Sequence, residues 1–281
     1  MDTSPLFQAV DGFAVLSAEG MAVQQALERW ILGRAGEVGA EQMRFPYLLP
    51  LRDLARFDYF HNFPHLGLCA CTVSERRWTA YSDNDPAATA DRIPAADLDD
   101  AAFALPPAAC YNVYLHARGQ DLGQDRVITT VAQCFRNETH YKGLERLRGF
   151  TMREIVRIGL PASITAHLGH FRQRILGLGQ VLGLDLKIEV ATDPFFDRSS
   201  DRALAAGLFP TKEEFVFDGT LAIASLNYHR NFFGERCGIT INGTVASTGC
   251  VAFGLERWLH ALDRRFEGDA RRIVQAIGDA P

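Results

Sequence analysis

Residues 134–150 read CFRNETHYKGLERLRGF. The stretch ends one alternating run, DRVITTVAQCFRNE from 125 to 138, and begins another, FTMREIVRIGL from 150 to 160. Alternation of that kind predicts two strands joined by a polar loop. On a strand, Arg136 and Glu138 fall on one face. An arginine held on a sheet is a rigid donor fork for phosphate or carboxylate. A glutamate two residues on can accept hydrogen bonds from an amine, and Phe150 offers a flat stacking surface. By themselves these residues fit two readings: a solvated hairpin whose Arg/Glu pair stabilises a sheet face, or a hairpin that binds a nucleotide.

A second stretch, STGCVAFGLERWLHAL from 247 to 262, passes from strand to helix around Gly249 and Gly254. It places Arg257 in the first turn of a helix whose apolar residues are Leu255, Trp258, Leu259 and Leu262. A cation there opposes the helix dipole. The position predicts an anion nearby, unless the side chain simply snorkels into solvent.

The rest of the chain supplies the frame. Residues 21–34 have Val23, Leu27, Trp30 and Ile31 at helical spacing, with Gly33 and Gly36 expected to end the helix. EQMRFPYLLPL (41–51) reads as an apolar strand interrupted by Pro46 and Pro50, which suits an edge or a bend. Residues 82–105 are rich in Ala, Asp and Pro and predict a surface excursion with one weak helix at most. PAACYNVYLHARG (107–119) is expected to return as a strand. Residues 163–182 form the longest amphipathic helix, N-capped by Ser163, with Ile164, Leu168, Phe171, Ile175, Leu178 and Leu182 on one face. LKIEVAT, EEFVFDG, TLAIASLNY and CGITING follow as short strands, then helices around 255–266 and 269–277. The order implies an α+β fold, a mostly antiparallel sheet flanked by helices. G-x-G-x-x-G and G-x-x-x-x-G-K-[ST] are both absent, so the common glycine-rich phosphate loops are not used.

The 281 residues carry a net charge of −5 and a pI near 5.9, with no Lys/Arg run of the kind a dedicated nucleic-acid domain shows. No basic region followed by a continuous apolar stretch opens the sequence, and no run approaches the roughly 18 apolar residues of a membrane span. A cytoplasmic protein with no membrane partner is expected. In that compartment the six cysteines, Cys69, Cys71, Cys110, Cys134, Cys237 and Cys250, are thiols, core residues or metal ligands before they are disulfides. Their spacing forms no zinc knuckle, so a metal site would draw on distant segments.

CFRNETHYKGLERLRGF resembles motif 2 of the class II aminoacyl-tRNA synthetases, and GCVAFGLERW resembles their motif 3. EQMRFPYLLP is similar to motif 1 around Pro46, which lies at the dimer interface in that family, so the resemblance implies a homodimer. The three occur in order over about residues 20–265. ASLNYHRNFFGER is similar to a segment of the seryl branch, with Asn227 at its asparagine; Ser225 and His229 are neighbouring candidates for the substrate pocket. In many seryl enzymes a metal-binding glutamate lies a few residues upstream. Here Leu221 stands near that place, which leaves the magnesium ligands unassigned.

In the atypical archaeal-type seryl enzymes, Cys, Glu and Cys from separate strands hold a zinc ion that binds the substrate's amino group. The matching positions are Cys110, Glu154 and Cys250. Three protein ligands leave one coordination position open. A cysteine read alone is more often a small buried hydrophobe than a ligand. Glu154, between Met152 and Val156 on an apolar face, requires a partner. Cys134 is a rival ligand that shares the face of Arg136.

No heptad-patterned pair of helices and no basic appended domain accompanies these motifs. Residues 1–281 are expected to form a single catalytic domain without a separate tRNA-binding domain. That resembles the amino acid:[carrier protein] ligases, truncated relatives of the archaeal-type seryl enzymes. The resemblance implies ATP-dependent formation of an aminoacyl-adenylate from a small amino acid, glycine or alanine. The acyl group then passes to the phosphopantetheine thiol of a carrier protein rather than to tRNA. Arg136 would bridge phosphate and carboxylate, Glu138 would read the adenine amine, and Phe150 and Arg257 would enclose the ring. Arg148, His140 and Lys142 would lie on a loop folded over ATP, with Mg2+ on the phosphates and Zn2+ on the amino group. His229, Arg230 and Arg236 are candidates for the pocket or its entrance, and arginines around 172–174 or 198–202 for the carrier-protein surface. A seryl-type synthetase with a separate tRNA-binding partner, and a non-catalytic regulatory paralogue, are the two other readings.

Overall fold

The alternating runs at 126–135 and 149–159 build the centre of a seven-stranded sheet. In chain order its strands are β1 (Glu41–Gln42), β2 (Arg126–Phe135), β3 (Gly149–Gly159), β4 (Lys187–Ala191), β5 (Lys212–Phe217), β6 (Leu221–Arg230) and β7 (Ser247–Gly254). Across the sheet the order is β4-β5-β6-β7-β3-β2-β1. Every pairing is antiparallel except β1 with β2, which is parallel. The structure, a computed structural model, describes residues 2–83, 91–197, 199–200, 204 and 211–281.

Six helices bear on the argument: α1 (Ala18–Glu37), α2 (Tyr111–His116), α3 (Pro161–Val181), α4 (Phe232–Cys237), α5 (Leu255–Phe266) and α6 (Ala270–Gly278). The period of two along β3 and β7 separates two environments. Ile155, Val251 and Phe253 face α1, α3, α5 and α6, packing with Ile31, Phe171, Ile175, Trp258 and Leu262 in the main apolar cluster. Val156, Ile158 and Cys250 face the other way and pack with Cys110, Val113, Tyr114 and Phe233 of α2 and α4. Gly249 permits α3 to approach the sheet, since a Cβ there would lie 2.6 Å from Ile164 Cγ2.

The α+β class and the mostly antiparallel sheet agree with the sequence, but several elements differ. Residues 107–119 contain a helix, not a strand: Cys110 occupies the N-cap position of α2. Cys110, Val113, Tyr114 and Ala117 are buried, the i, i+3, i+4, i+7 spacing of a helix face. Residues 41–51 give only two fragments, β1 and a separate short strand Leu49–Pro50, because Pro46 and Pro50 lack the amide a longer ladder needs. The cap of α3 is Leu160 with Pro161 in the first turn, while Ser163 lies within the helix and donates its hydroxyl to Leu160 O at 2.8 Å. Helix α1 runs through Gly33 and Gly36 and ends at Glu37, before Gly39 at φ 68°. Among the described residues no helix is long and apolar enough to cross a membrane.

Candidate active site

Glu154 sits on β3, opposite Ala252 of β7 and Thr130 of β2. Cys250 lies one row along the same face, opposite Val156 and, on its other side, Asn227 of β6. The N-terminus of α2 brings Cys110 over these rows. The ligand atoms of Cys110, Glu154 and Cys250 lie within 4.8 Å of one another, and all three residues are buried. Glu154 Oε1 accepts from Ala109 N at 3.1 Å; Oε2 is buried with no hydrogen-bond partner. Burial pushes the Glu154 carboxyl up, against the hydrogen bonds from Cys110 and Cys250. Their mutual hydrogen bond, burial and the nearby carboxylate together leave the Cys250 thiol well above its usual value. Three buried groups that resist ionisation together, with one carboxylate oxygen left without a partner, fit a divalent cation. Two thiolates and a carboxylate suit zinc. Cys134 is buried elsewhere, its thiol directed at Ala132 O at 3.8 Å, and does not join the cluster.

The cluster lines a cavity of about 430 Å³, together with Ser225, Asn227, His229, Tyr111 and Arg136. Asn227 Nδ2 donates to Ser225 Oγ at 3.0 Å and to Cys250 Sγ at 3.4 Å. A second cavity of about 100 Å³ is lined by Arg136, Glu138, Phe150, Arg146, Glu214, Glu256 and Arg257. The two share Arg136, Met152, Lys212, Ser225 and Ala252. Arg136 therefore stands where they meet.

The second cavity interleaves cations with carboxylates: Arg136, Arg146, Arg257 and Lys212 with Glu138, Glu145, Glu214 and Glu256. Arg257 donates to the carbonyls of Glu145 and Ala222, each at 2.9 Å. The expected anions are nearby, in Glu214 and Glu138, but the direct hydrogen-bond partners are two carbonyl oxygens. Burial, then the fields of Arg136 and Arg146, push the guanidinium below its ordinary value. Arg136 Nε and Nη2 donate to Pro107 O at 3.2 and 3.1 Å, and its guanidinium lies 5.2 Å over the Phe150 ring. It follows the last residue of β2, so Arg136 and Glu138 meet through a turn rather than by strand alternation. Glu138 is held by Arg146 at 2.8 Å.

No family model matches the chain. It is 32% identical over 274 residues to amino acid–[acyl-carrier-protein] ligase 1 of Bradyrhizobium diazoefficiens, covering 89% of this chain and 81% of that one. The chain belongs to the amino acid–[acyl-carrier-protein] ligase family. The type-2 serine–tRNA ligase of Methanopyrus kandleri is 23% identical over 273 residues, 86% of this chain but only 51% of that protein. The seryl-tRNA synthetase of M. kandleri, solved with A. aeolicus tRNASec, superposes with a TM-score of 0.80 at 20% identity. It covers 98% of this chain and 59% of its own. The ligase-family chain thus has the class II synthetase fold and spans about half to three-fifths of these tRNA-linked proteins.

Within this ligase-family site the structure gathers Cys110, Glu154, Cys250, Asn227, Ser225, His229 and Arg136 around the larger cavity. Glu138, Phe150 and Arg257 line the smaller one. Arg148 lines neither; its guanidinium lies 4.8 Å over the Tyr141 ring. Arg236 pairs with Asp58 and stacks at 5.5 Å over Phe232. Arg172 and Arg174 pair with Glu213 and Glu37, while residues 198 and 202 lie outside the described side chains. Two residues had no assigned role in the sequence. Glu256 accepts the Thr151 amide with both oxygens, at 2.9 and 2.8 Å, and so pins β3 to α5. Lys212 bridges Asp193 at 3.2 Å and Glu214 at 2.9 Å. Burial opposes its charge, but the two carboxylates prevail and hold it protonated. The glutamate of the quoted GLER motif was visible; Lys212 carried no signal before β5 was placed beside β6.

Proposed function

We propose that this chain activates a small amino acid, glycine or alanine, with ATP and transfers the acyl group to the phosphopantetheine thiol of a carrier protein. The observation that carries the reading is the position of Arg136 between the two cavities. One cavity holds a zinc-type ligand set, the other three arginines, several carboxylates and the Phe150 ring. An amino acid and ATP bound in them would meet at that guanidinium.

In the first step a carboxylate oxygen of the amino acid attacks the α-phosphorus, and the bond to pyrophosphate breaks. Arg136 would leave the Pro107 carbonyl to hold the carboxylate and α-phosphate together, aligning them and offsetting developing charge. Phe150 and Arg257 would enclose the adenine, the guanidinium adding cation–π attraction. Glu138 would accept from the adenine amine, and Arg146 would keep its carboxylate in place. Zinc held by Cys110, Glu154 and Cys250 supplies, when bound, an open coordination position for the α-amino group. Asn227 and Ser225 would shape the wall beside it. Magnesium would accompany ATP as the counter-ion of its phosphates. In the second step the carrier thiol attacks the acyl carbon and AMP leaves.

Residues 1–281 would act as one catalytic domain in the cytoplasm, as a homodimer joined around Pro46, where Tyr47 and Leu48 stand exposed. The test is amino-acid-dependent pyrophosphate exchange with zinc-loaded protein, followed by transfer assays on phosphopantetheinylated carrier and on tRNA. Exchange with glycine or alanine and product on the carrier is expected. Product on tRNA instead would favour the synthetase reading, and absence of exchange with any amino acid would refute enzymatic activation.

A further inference from the structure

β6 and β7 are out of step at His229. Asn227 faces Cys250 and Tyr228 faces Gly249, but Arg230, not His229, faces Thr248. Arg230 takes φ 52°, in the left-handed region. A bulge of this kind re-aims the residue it releases from the ladder, and non-glycine residues held in that region are frequent at functional sites. Here the displaced ring reaches the metal-type cluster: His229 Nε2 lies 3.8 Å from Cys250 Sγ. Its Nδ1 lies 3.2 Å from the Tyr114 hydroxyl and 3.3 Å from Thr248 Oγ1. Phe233 and Tyr114 meet the imidazole edge-on, at 5.0 and 5.8 Å, and stack on each other at 3.9 Å. Ring plane and ring position are both constrained.

The donor inventory then places a proton on Nε2. A metal-bound thiolate sulfur only accepts hydrogen bonds. A bare Nε2 would face it lone pair to lone pair, so the proton must reside on Nε2. Nδ1 then faces the Tyr114 and Thr248 hydroxyls, either of which can pair with it. Asn227 Nδ2 is the second donor to the same sulfur, at 3.4 Å.

We propose that His229 is a positioning residue of the metal centre, whose imidazole Nε2–H together with the Asn227 amide gives the Cys250 thiolate two N–H donors. The inference rests on the zinc reading of Cys110, Glu154 and Cys250. Its physical purpose follows from charge. Two thiolates and a carboxylate overcompensate a divalent cation in a buried site. N–H donors on one sulfur spread that excess and hold the sulfur oriented toward the metal. The metal then keeps its attraction for a fourth ligand. Outer partners of this kind contribute about 10- to 100-fold in metal affinity.

The experiment uses the full chain, stripped by chelation and reloaded with Co2+. It reads the thiolate-to-cobalt charge-transfer band and the competitive affinity for zinc. Loss of an N–H donor raises the sulfur lone pair in energy, so the band should move to lower energy. His229→Phe is expected to show that shift and at least a 10-fold loss of affinity. His229→Gln, whose amide N–H can replace Nε2, is expected to restore both. Thr248→Val removes a donor to Nδ1 and should shift the band in the same direction by less. A His229→Phe protein with the wild-type band and affinity overturns the proposal, as does a folded His229→Gln protein shifted as far as the Phe variant. A wild-type protein showing no thiolate-to-cobalt band refutes the metal reading itself, and this inference with it.

Discussion

Replacing Glu154 by glutamine separates the two roles that its carboxyl group combines. Oε1 accepts the Ala109 amide at 3.1 Å, and a glutamine oxygen can do the same. Oε2 is the buried atom with no partner, and there a neutral amide cannot replace an anionic ligand. Zinc that binds only the folded chain stabilises it by about 4 kcal/mol at a free concentration 1,000-fold above Kd. Unfolding entropy is about 2.1 cal/mol/K per residue, or about 0.6 kcal/mol/K for 281 residues. Wild-type protein should therefore melt about 7 °C higher with zinc than with chelator under those conditions. Glu154→Gln should lose that increment and retain little zinc by elemental analysis. Its metal-free Tm should match or exceed that of wild type, because a buried carboxylate that burial already disfavours has been made neutral. Cys134→Ser, outside the cluster, should keep the full increment. A Glu154→Gln protein that still gains about 7 °C with zinc would refute the ligand assignment.

Arg136→Ala should lower amino-acid-dependent pyrophosphate exchange by about 100- to 1,000-fold with zinc content unchanged. Arg136→Lys should recover little of it, since an ammonium lacks the planar fork; near-normal exchange in either variant would remove Arg136 from the reaction centre. Gly249→Ala puts a methyl group 2.6 Å from Ile164 Cγ2 and 3.1 Å from the Asn227 carbonyl. It should cost about 1–3 kcal/mol, seen as a Tm lower by about 2–5 °C; an unchanged Tm would contradict the close approach of α3. Burial pushes the His167 imidazole down to about 4 from 6.5. As pH falls below about 6.5 the unfolded chain takes up the proton first, so stability is lost between there and about 4, by up to about 3 kcal/mol. His167→Gln should flatten that part of the stability profile in chemical unfolding, and an unchanged slope would show that His167 takes up its proton as readily in the folded chain as in the unfolded one.

Local pattern determined much of this protein by itself. The period of two in 126–135 and 150–159 made the central strands, and the 3.6 period made α1, α3 and α5, because the backbone dictates which side chains share a face. The same alternation put Glu154 on a buried apolar face, where a lone carboxylate demands a partner. The quoted motifs carried the fold class, the family and most of the site residues. Where local signals conflicted, the sequence misled: Cys110 and its neighbours satisfy a helical period as well as a strand's, and only the space above β3 and β7 selects the helix. Chemistry alone does not separate Cys110, Cys134 and Cys250; the motif resemblance pointed to Cys110 and Cys250, and the tertiary structure brings their ligand atoms, not that of Cys134, together with Glu154. It also decided that Arg136 stands between two cavities, that Lys212 completes their wall, and that a bulge turns His229 onto Cys250. Each of these depends on residues far apart in the chain brought within hydrogen-bond range, and spacing along a sequence holds no information about that distance until the sheet is assembled.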